Sequence, residues 1–451
     1  MTISNGIMKG LSLAFSLLGL SIFILSLFNV FTYFHNGLLI FSLGFILLGV
    51  LTYCKYLYGG KLAGIKNNFV WQKSESNRGI IGIIVSIILT TFYVCLYWYP
   101  EVLGKSEIQN TGLIRLFDPL SLSLKNKVAS EWFVYGVLYT FAILVFGIKF
   151  IIKYRHNRYQ VLRTISVIFF QLIFAFLLPE FMLRMNLPYN DLKNMWPLNY
   201  YFFDQWNINN FFDAGSIGKA MFYFGLFLIF IGSPLLTYFY GKRWYCSWVC
   251  GCGGLAETAG DSFRHLSSKS LTSWRVERIL IYSILLLVVV MTIGVIFTYK
   301  TGSQNLFFIN TAGLRSWYGF LIGAAFSGVI GVGFYPILGS RVWCRFGCPM
   351  AAILGIQQKY FSRFRITTNG GQCISCGNCS TYCEMGIDVR AYAQRGENIL
   401  RASCVGCGIC SAVCPRGVLK LENGSTDITE GRRSNKLSFV NESEVKLIQL
   451  K

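Results

Sequence analysis

Residues 373–383 read CISCGNCSTYC and residues 404–414 read CVGCGICSAVC. Both follow C-x2-C-x2-C-x3-C, and the second is closed by Pro415. Three thiolates on one short loop grasp three corners of a [4Fe–4S] cubane, while the fourth reaches the neighbouring cluster. The tandem runs therefore predict a two-cluster ferredoxin unit with crossed ligation. Cys373, Cys376, Cys379 and Cys414 would hold one cluster, and Cys404, Cys407, Cys410 and Cys383 the other. Gly377, Gly406 and Gly408 let the backbone turn tightly and aim N–H groups at the sulfurs. Zinc also uses C-x2-C pairs, but its four ligands do not call for this spacing twice over. Where the second run has Pro415 the first has Glu384, a carboxylate whose charge should favour the oxidised form of a nearby cluster.

Upstream of these runs the composition changes. Over the whole chain 54% of residues are apolar and 14% charged, where soluble domains carry about 25% charged residues. Long uncharged apolar runs recur through the first three-quarters of the chain and mark transmembrane helices. Spans are expected near 10–31, 37–54, 79–99, 132–152, 164–184, 219–240, 279–298 and 318–337. The first is too long for a signal-peptide core and has no small-residue cleavage site after it, so it reads as retained. The expected fold is a polytopic α-helical membrane protein of about eight transmembrane helices, with a C-terminal α+β two-cluster ferredoxin-like domain on the cytoplasmic side. Its expected divisions are 1–218 (the first five helices), 219–365 (spans with a repeated cysteine motif), 366–421 (ferredoxin) and 422–451 (a polar, partly disordered tail). Within the second, residues 338–365 mix basic and apolar character and read as a segment on the membrane surface.

A formal charge of +21 would point a soluble protein toward nucleic acid. Basic loops between apolar spans instead record the positive-inside rule, and no nucleic-acid partner is expected. Lys55, Lys61, Lys66, Lys73 and Arg78 follow the second span, and Lys153, Arg155, Arg158 and Arg163 the fourth. Lys242, Arg243, Arg264, Lys269, Arg275 and Arg278 follow the sixth. With an even number of spans, both termini then lie in the cytoplasm, in a multi-pass protein of the cytoplasmic (inner) membrane. Thirteen of the fifteen cysteines stand in short-spaced groups, which favours metal ligation in a reducing compartment over disulfides. Cys54 and Cys95 stand alone and read as packing residues.

A second constellation repeats. GKRWYCSWVCG at 241–251 matches GSRVWCRFGCP at 339–349, and each copy follows an apolar span. Packing has no reason to reproduce a glycine, an arginine, an aromatic and both cysteines together. Cys246, Cys250, Cys344 and Cys348 are therefore candidates for a third metal centre beneath the ferredoxin unit. Iron–sulfur, copper(I), a redox dithiol and plain packing all stay open at these thiols. Cys252 is an extra thiol in the first copy only.

Paired C-x3-C motifs at span ends, followed by two ferredoxin runs, resemble the NapH/NosR/CcoG group of membrane-bound polyferredoxins over residues 220–421. The resemblance implies an electron-transfer subunit of an oxidoreductase, passing electrons between the quinone pool and a reductase or other redox partner. It maps Cys246, Cys250, Cys344 and Cys348 onto the family's membrane-proximal motif, usually C-x3-C-P. Only the second copy keeps the proline, as Pro349, and the first has Gly251. NosR-like members add an extracytoplasmic flavin-binding region, and no loop here is long enough for one. The alternatives are a copper reductase or metalloenzyme maturation factor using the C-x3-C pair, and a redox sensor.

Other residues are weaker signals. His35, His156 and His265 sit near loops, so a haem relay between facing helices is not expected. Glu180, after Pro179, is an intramembrane carboxylate that would take a quinol's proton or pair with Arg184. Glu257 and Asp261 read as a solvated helix face, and the glycines of 328–334 as close helix packing.

Overall fold

The computed structural model describes residues 2–31, 37–58, 79–302, 305–306 and 309–424. Among them seven helices are long and apolar enough to cross a bilayer. They are α1 (Thr2–Leu27), α2 (Leu38–Tyr58), α3 (Ile80–Trp98), α4 (Glu131–Lys153), α5 (Arg158–Arg184), α6 (Gly215–Tyr240) and, after a short α7 (Gly251–Thr258), α8 (Leu271–Thr301). Ile88, Phe230 and Leu286 are 61%, 67% and 66% exposed, a pattern that suits lipid and not water. His35, the loop cations Lys61, Lys66, Lys73 and Arg78, and the expected tail from residue 425 onward lie outside the described residues.

Small residues bring the helices together, because apolar side chains gain nothing over lipid by pairing. Ser12 Oγ of α1 donates to the Gly49 carbonyl of α2 (2.8 Å), and Ser42 Oγ donates back to the Gly19 carbonyl (2.7 Å). Helices α5 and α6 widen into π-helical stretches, Phe170–Leu177 and Leu228–Gly232, just ahead of Pro179 and Pro234. Proline lacks the N–H and crowds the carbonyl four residues back, and a π-bulge absorbs both defects.

The expected span 318–337 is not one regular helix. The chain winds as α-helix over Thr311–Tyr318 and π-helix over Gly319–Ile330, then turns and closes with Tyr335–Leu338. Its glycines do pack closely. The Gly333 carbonyl accepts from Ser86 Oγ (2.7 Å), and a Cβ on Gly328 would lie 2.7 Å from Tyr97 of α3.

Both copies of the repeated motif share their turn and their helix cap, although Arg243–Cys246 winds as α-helix and Trp343–Gly347 as π-helix. Gly241 and Gly339 take φ of 66° and 95°, values that side chains avoid, and each starts the turn into its motif. Cys250 and Cys348 then occupy the N-caps of α7 and of α9 (Pro349–Phe361). Gly251 and Pro349 are thus the same first helical position. A Cβ on Gly251 would lie 2.5 Å from Gln171 Oε1 and 3.3 Å from Tyr139, so glycine fits where the second copy keeps proline. Those two neighbours belong to central turns of α5 and α4, which sets the motif inside the helix bundle. Helix α9 buries Met350, Ala351, Ala352 and Leu354, so this part of 338–365 is core and not a surface segment. The chain between α5 and α6 also folds inward: Trp196 Nε1 donates to Thr292 Oγ1 of α8, and Tyr245 Oη to the Lys193 carbonyl, both at 3.0 Å.

The C-terminal unit pairs β1 (Phe364–Thr368) antiparallel with β2 (Leu419–Asn423), Phe364 opposite Asn423. Three short helices, Asn378–Thr381, Val389–Arg395 and Ile409–Ala412, complete it. One continuous core joins this unit to the C-x3-C motifs, from Tyr245 and Trp343 through Leu354 to Ile366 and Val405.

Candidate metal centres

Two hollows open in the C-terminal unit. The outer one is lined by Cys373, Cys376, Cys379 and Cys414, the inner one by Cys383, Cys404, Cys407 and Cys410. The fold thus gathers the cysteines in the crossed sets the spacing predicts, each run lending its fourth thiol to the other. The Ile387 and Val418 amides donate to Cys383 Sγ and Cys414 Sγ, both at 3.4 Å. Such donors favour charge on sulfur. Burial pushes the Cys404 thiol up to about 11 and Cys407 to about 12, so these groups ionise at neutral pH only against a bound cation. A tetrahedral zinc with bonds of about 2.3 Å would draw its sulfurs to about 3.8 Å of each other. Among the described residues no three cysteine sulfurs fall within 4.8 Å. The wider setting fits a cubane, which separates its ligands by its own body. Cys376 is exposed, whereas Cys404 and Cys410 are buried, so the outer hollow faces the surface.

Cys246, Cys250, Cys344 and Cys348 share the buried core beneath the inner hollow. Arg341 Nη1 donates to Cys344 Sγ (3.6 Å) and the Ala351 amide to Cys348 Sγ (3.4 Å). A hydrogen bond from Cys252 brings the Cys250 thiol down to about 6 against its burial, with help from the Lys193 ammonium.

A buried ionic network lies between these thiols and the inner hollow. Glu384 is 0% exposed and meets Arg264 Nη1 at 2.6 Å and Arg341 Nη2 at 3.0 Å. Arg341 also pairs with Glu257, which pairs in turn with Arg163. Asp261 accepts from Lys153 Nζ (2.6 Å), Arg264 Nε (2.7 Å) and the Tyr154 hydroxyl (3.2 Å). Glu257 and Asp261 are therefore buried partners and not a solvated face. Lys153 and Arg163, counted above as loop cations, serve the same network. Burial opposes ionisation of Glu384, but Arg264, Arg341 and Arg163 overcome it and hold its carboxyl below the ordinary value. Its charge is thus balanced by guanidiniums and does not stand bare beside a cluster, as the sequence alone implied. Glu257, Glu384 and Cys407 stand close enough to hold an ion, yet guanidiniums already occupy both carboxylates. Ser247 Oγ ties the network to the inner hollow, donating to Glu257 Oε1 (3.0 Å) and lying 2.9 Å from the Val405 carbonyl.

On the opposite side of the C-x3-C thiols lies a cavity of about 1150 Å³. It runs from Cys250 and Cys252 past Tyr139, Tyr135 and Tyr97 to Trp98 and Trp206. Glu180 lines it, and its carboxylate meets Lys125 Nζ at 3.1 Å. The expected partner Arg184 donates instead to the Ser123 carbonyl.

Comparison with known proteins finds 4Fe–4S families over the same regions of the chain. The family described as "4Fe-4S dicluster domain" matches residues 372–419, and "4Fe-4S binding domain" matches twice, over 222–270 and 320–367. The two latter matches enclose the two C-x3-C motifs. "Putative electron transport protein YccM" of Escherichia coli (strain K12) is 27% identical over 166 residues, or 33% of this chain and 43% of that protein. The chain thus spans less than half the length of that relative. No solved structure matches the chain. The protein carries 4Fe–4S binding domains on a body of membrane-length helices.

Proposed function

We propose that this chain is a membrane electron-transfer protein of the NapH/NosR/CcoG type, passing electrons from the quinone pool to a reductase or other redox partner. One observation carries the reading: the cavity, the buried C-x3-C thiols, the inner hollow and the exposed outer hollow adjoin one another in that order. Clusters held by these cysteines would supply one-electron transfer. Cys373, Cys376, Cys379 and Cys414 would ligate the outer one, and Cys383, Cys404, Cys407 and Cys410 the inner one. Cys246, Cys250, Cys344 and Cys348 would hold a third. The paired 4Fe-4S binding matches around those four favour iron–sulfur over copper there.

The cavity suits a hydroquinone headgroup, being large, aromatic and adjacent to the thiols. Glu180, paired with Lys125, is placed to accept a proton from it. Residues 311–338 would form the eighth crossing, because they pack along α3 and are long enough for the hydrocarbon core of about 30 Å. Both termini and the ferredoxin unit would then face the cytoplasm across the inner membrane. Exposed Cys376 marks the face on which a redox partner would dock.

The test is anaerobic addition of a short-chain hydroquinone to membranes holding the protein. Paramagnetic signals of reduced clusters should appear, and should fade in Glu180→Gln. Clusters that dithionite reduces but no hydroquinone does would refute the quinone source.

A further inference from the structure

Lys242 has an unusual setting. It is 1% exposed, and its ammonium donates only to backbone carbonyls, Ala402 at 2.6 Å and Ala351 at 3.2 Å. No carboxylate pairs with it among the described residues; the nearby Glu277 is taken by Arg345 at 2.7 Å. A buried ammonium without an anion is costly. Its surroundings show where the missing charge belongs. Lys242 stands four residues before Cys246, and its own amide donates to Gln358 Oε1 (2.8 Å), whose Nε2 donates to the Cys404 carbonyl (2.8 Å). It therefore lies between the C-x3-C thiols and the inner hollow. The matching position in the second motif is Ser340, so the repeat itself does not require a cation.

Glu384 marks the other side of the same junction with the opposite sign. It directly follows Cys383, where the second run has proline, and its carboxylate points away from solvent into Arg264 and Arg341.

We propose that Lys242 and Glu384 are opposed electrostatic positioning residues that set the reduction potential of the inner cluster relative to the outer one. An added electron makes a thiolate-bound cluster more negative. A buried cation beside it favours the reduced form, and a buried anion favours the oxidised form. With Lys242 unpaired and Glu384 already matched by two guanidiniums, the balance at the junction is positive. The inner site is thereby held as the better electron acceptor, while the outer site, open at Cys376, is screened by water. This rests on the cluster assignment above but not on the quinone source, since potentials are read with chemical mediators.

The experiment is a mediated redox titration of the purified full chain, followed by paramagnetic resonance, for Lys242→Met, Lys242→Arg and Glu384→Gln. Cys376→Ser assigns the outer signal by altering it alone. Lys242→Met should lower the inner potential, Glu384→Gln should raise it, and Lys242→Arg should restore it, with the outer potential unmoved throughout. Mere loosening of the junction would shift both neutralised variants in the same direction. That result, or unchanged inner potentials, overturns the proposal. If Lys242→Met fails to assemble, Glu384→Gln and Lys242→Arg decide by the same signs: a fall or no change in the former refutes it.

Discussion

Replacing Asp261 by asparagine removes the anion on which Lys153, Arg264 and Tyr154 converge. The carboxylate is 5% exposed and Lys153 11%, so water replaces little of what is lost. Breaking a buried ion pair from one side costs about 3–5 kcal/mol, because the partner charge stays buried. Arg264 keeps Glu384 (2.6 Å) and the Glu257 carbonyl (2.9 Å), so Lys153 bears most of the penalty. Adding Lys153→Met should recover part of it, with a coupling of about 0.5–3 kcal/mol in the double-mutant cycle. The pH dependence has a definite sign. Burial raises the Asp261 carboxyl, but Lys153 and Arg264 outweigh it and leave it depressed in the folded chain. A depressed acid contributes stability that is fully present above its unfolded pKa, about 3.9 for aspartate, and is lost as pH falls through the lower folded value. Thermal unfolding of detergent-solubilised holoprotein should therefore show a constant gap between wild type and Asp261→Asn from pH 8 to 5. The gap should close only below about pH 4. A gap that shrinks between pH 8 and 6, or a double variant as damaged as the sum of the singles, would mean that the Asp261–Lys153 pair does not hold this stability.

Other outcomes follow from the packing and the cavity. Gly251→Ala places a Cβ 2.5 Å from Gln171 Oε1 and should cost about 1–3 kcal/mol by overpacking, whereas Gly44→Ala, with nothing within 4 Å, should be nearly neutral in the same unfolding assay. Ser42→Ala loses the bond to the Gly19 carbonyl and should cost about 0.6 kcal/mol, with iron content unchanged. Glu180→Gln leaves Lys125 without its anion; hydroquinone oxidation should slow while reduction of the clusters by dithionite keeps its wild-type rate.

What the sequence made legible was local. The spacing of each four-cysteine run is a few residues long and carries its geometry with it, so the crossed sets were readable before any fold. The seven long helices were equally plain, since a lipid-facing helix must be apolar along its length. The stretch 318–337 read as one more such helix because composition does not reveal where Gly319–Ile330 abandons α-helical winding. The ionic network was hidden for another reason. Arg341 reaches Glu257 across 84 residues, and Arg264 reaches Glu384 across 120, so no window of sequence holds both partners. Glu180 had an apparent partner four residues on in the same α-helical stretch, yet Arg184 turns to the Ser123 carbonyl and Lys125 arrives from the separate helix Asp118–Lys125. Even the repeated arginine diverges: Arg341 enters the network, whereas Arg243 lies over the Phe364 ring at 4.3 Å. At Lys242 the sequence does hold a signal, a cation where the second copy has Ser340.

In the relay proposed above, three cysteine sets, two in the ferredoxin unit and one inside the helix bundle, would each hold an iron–sulfur cluster. Iron and acid-labile sulfide per chain, measured on anaerobically purified wild type and Cys344→Ser, test it most directly. The proposed relay requires about twelve irons, four for each cubane, falling to about eight in the variant. About eight in both would leave the C-x3-C thiols without a cluster and contradict it.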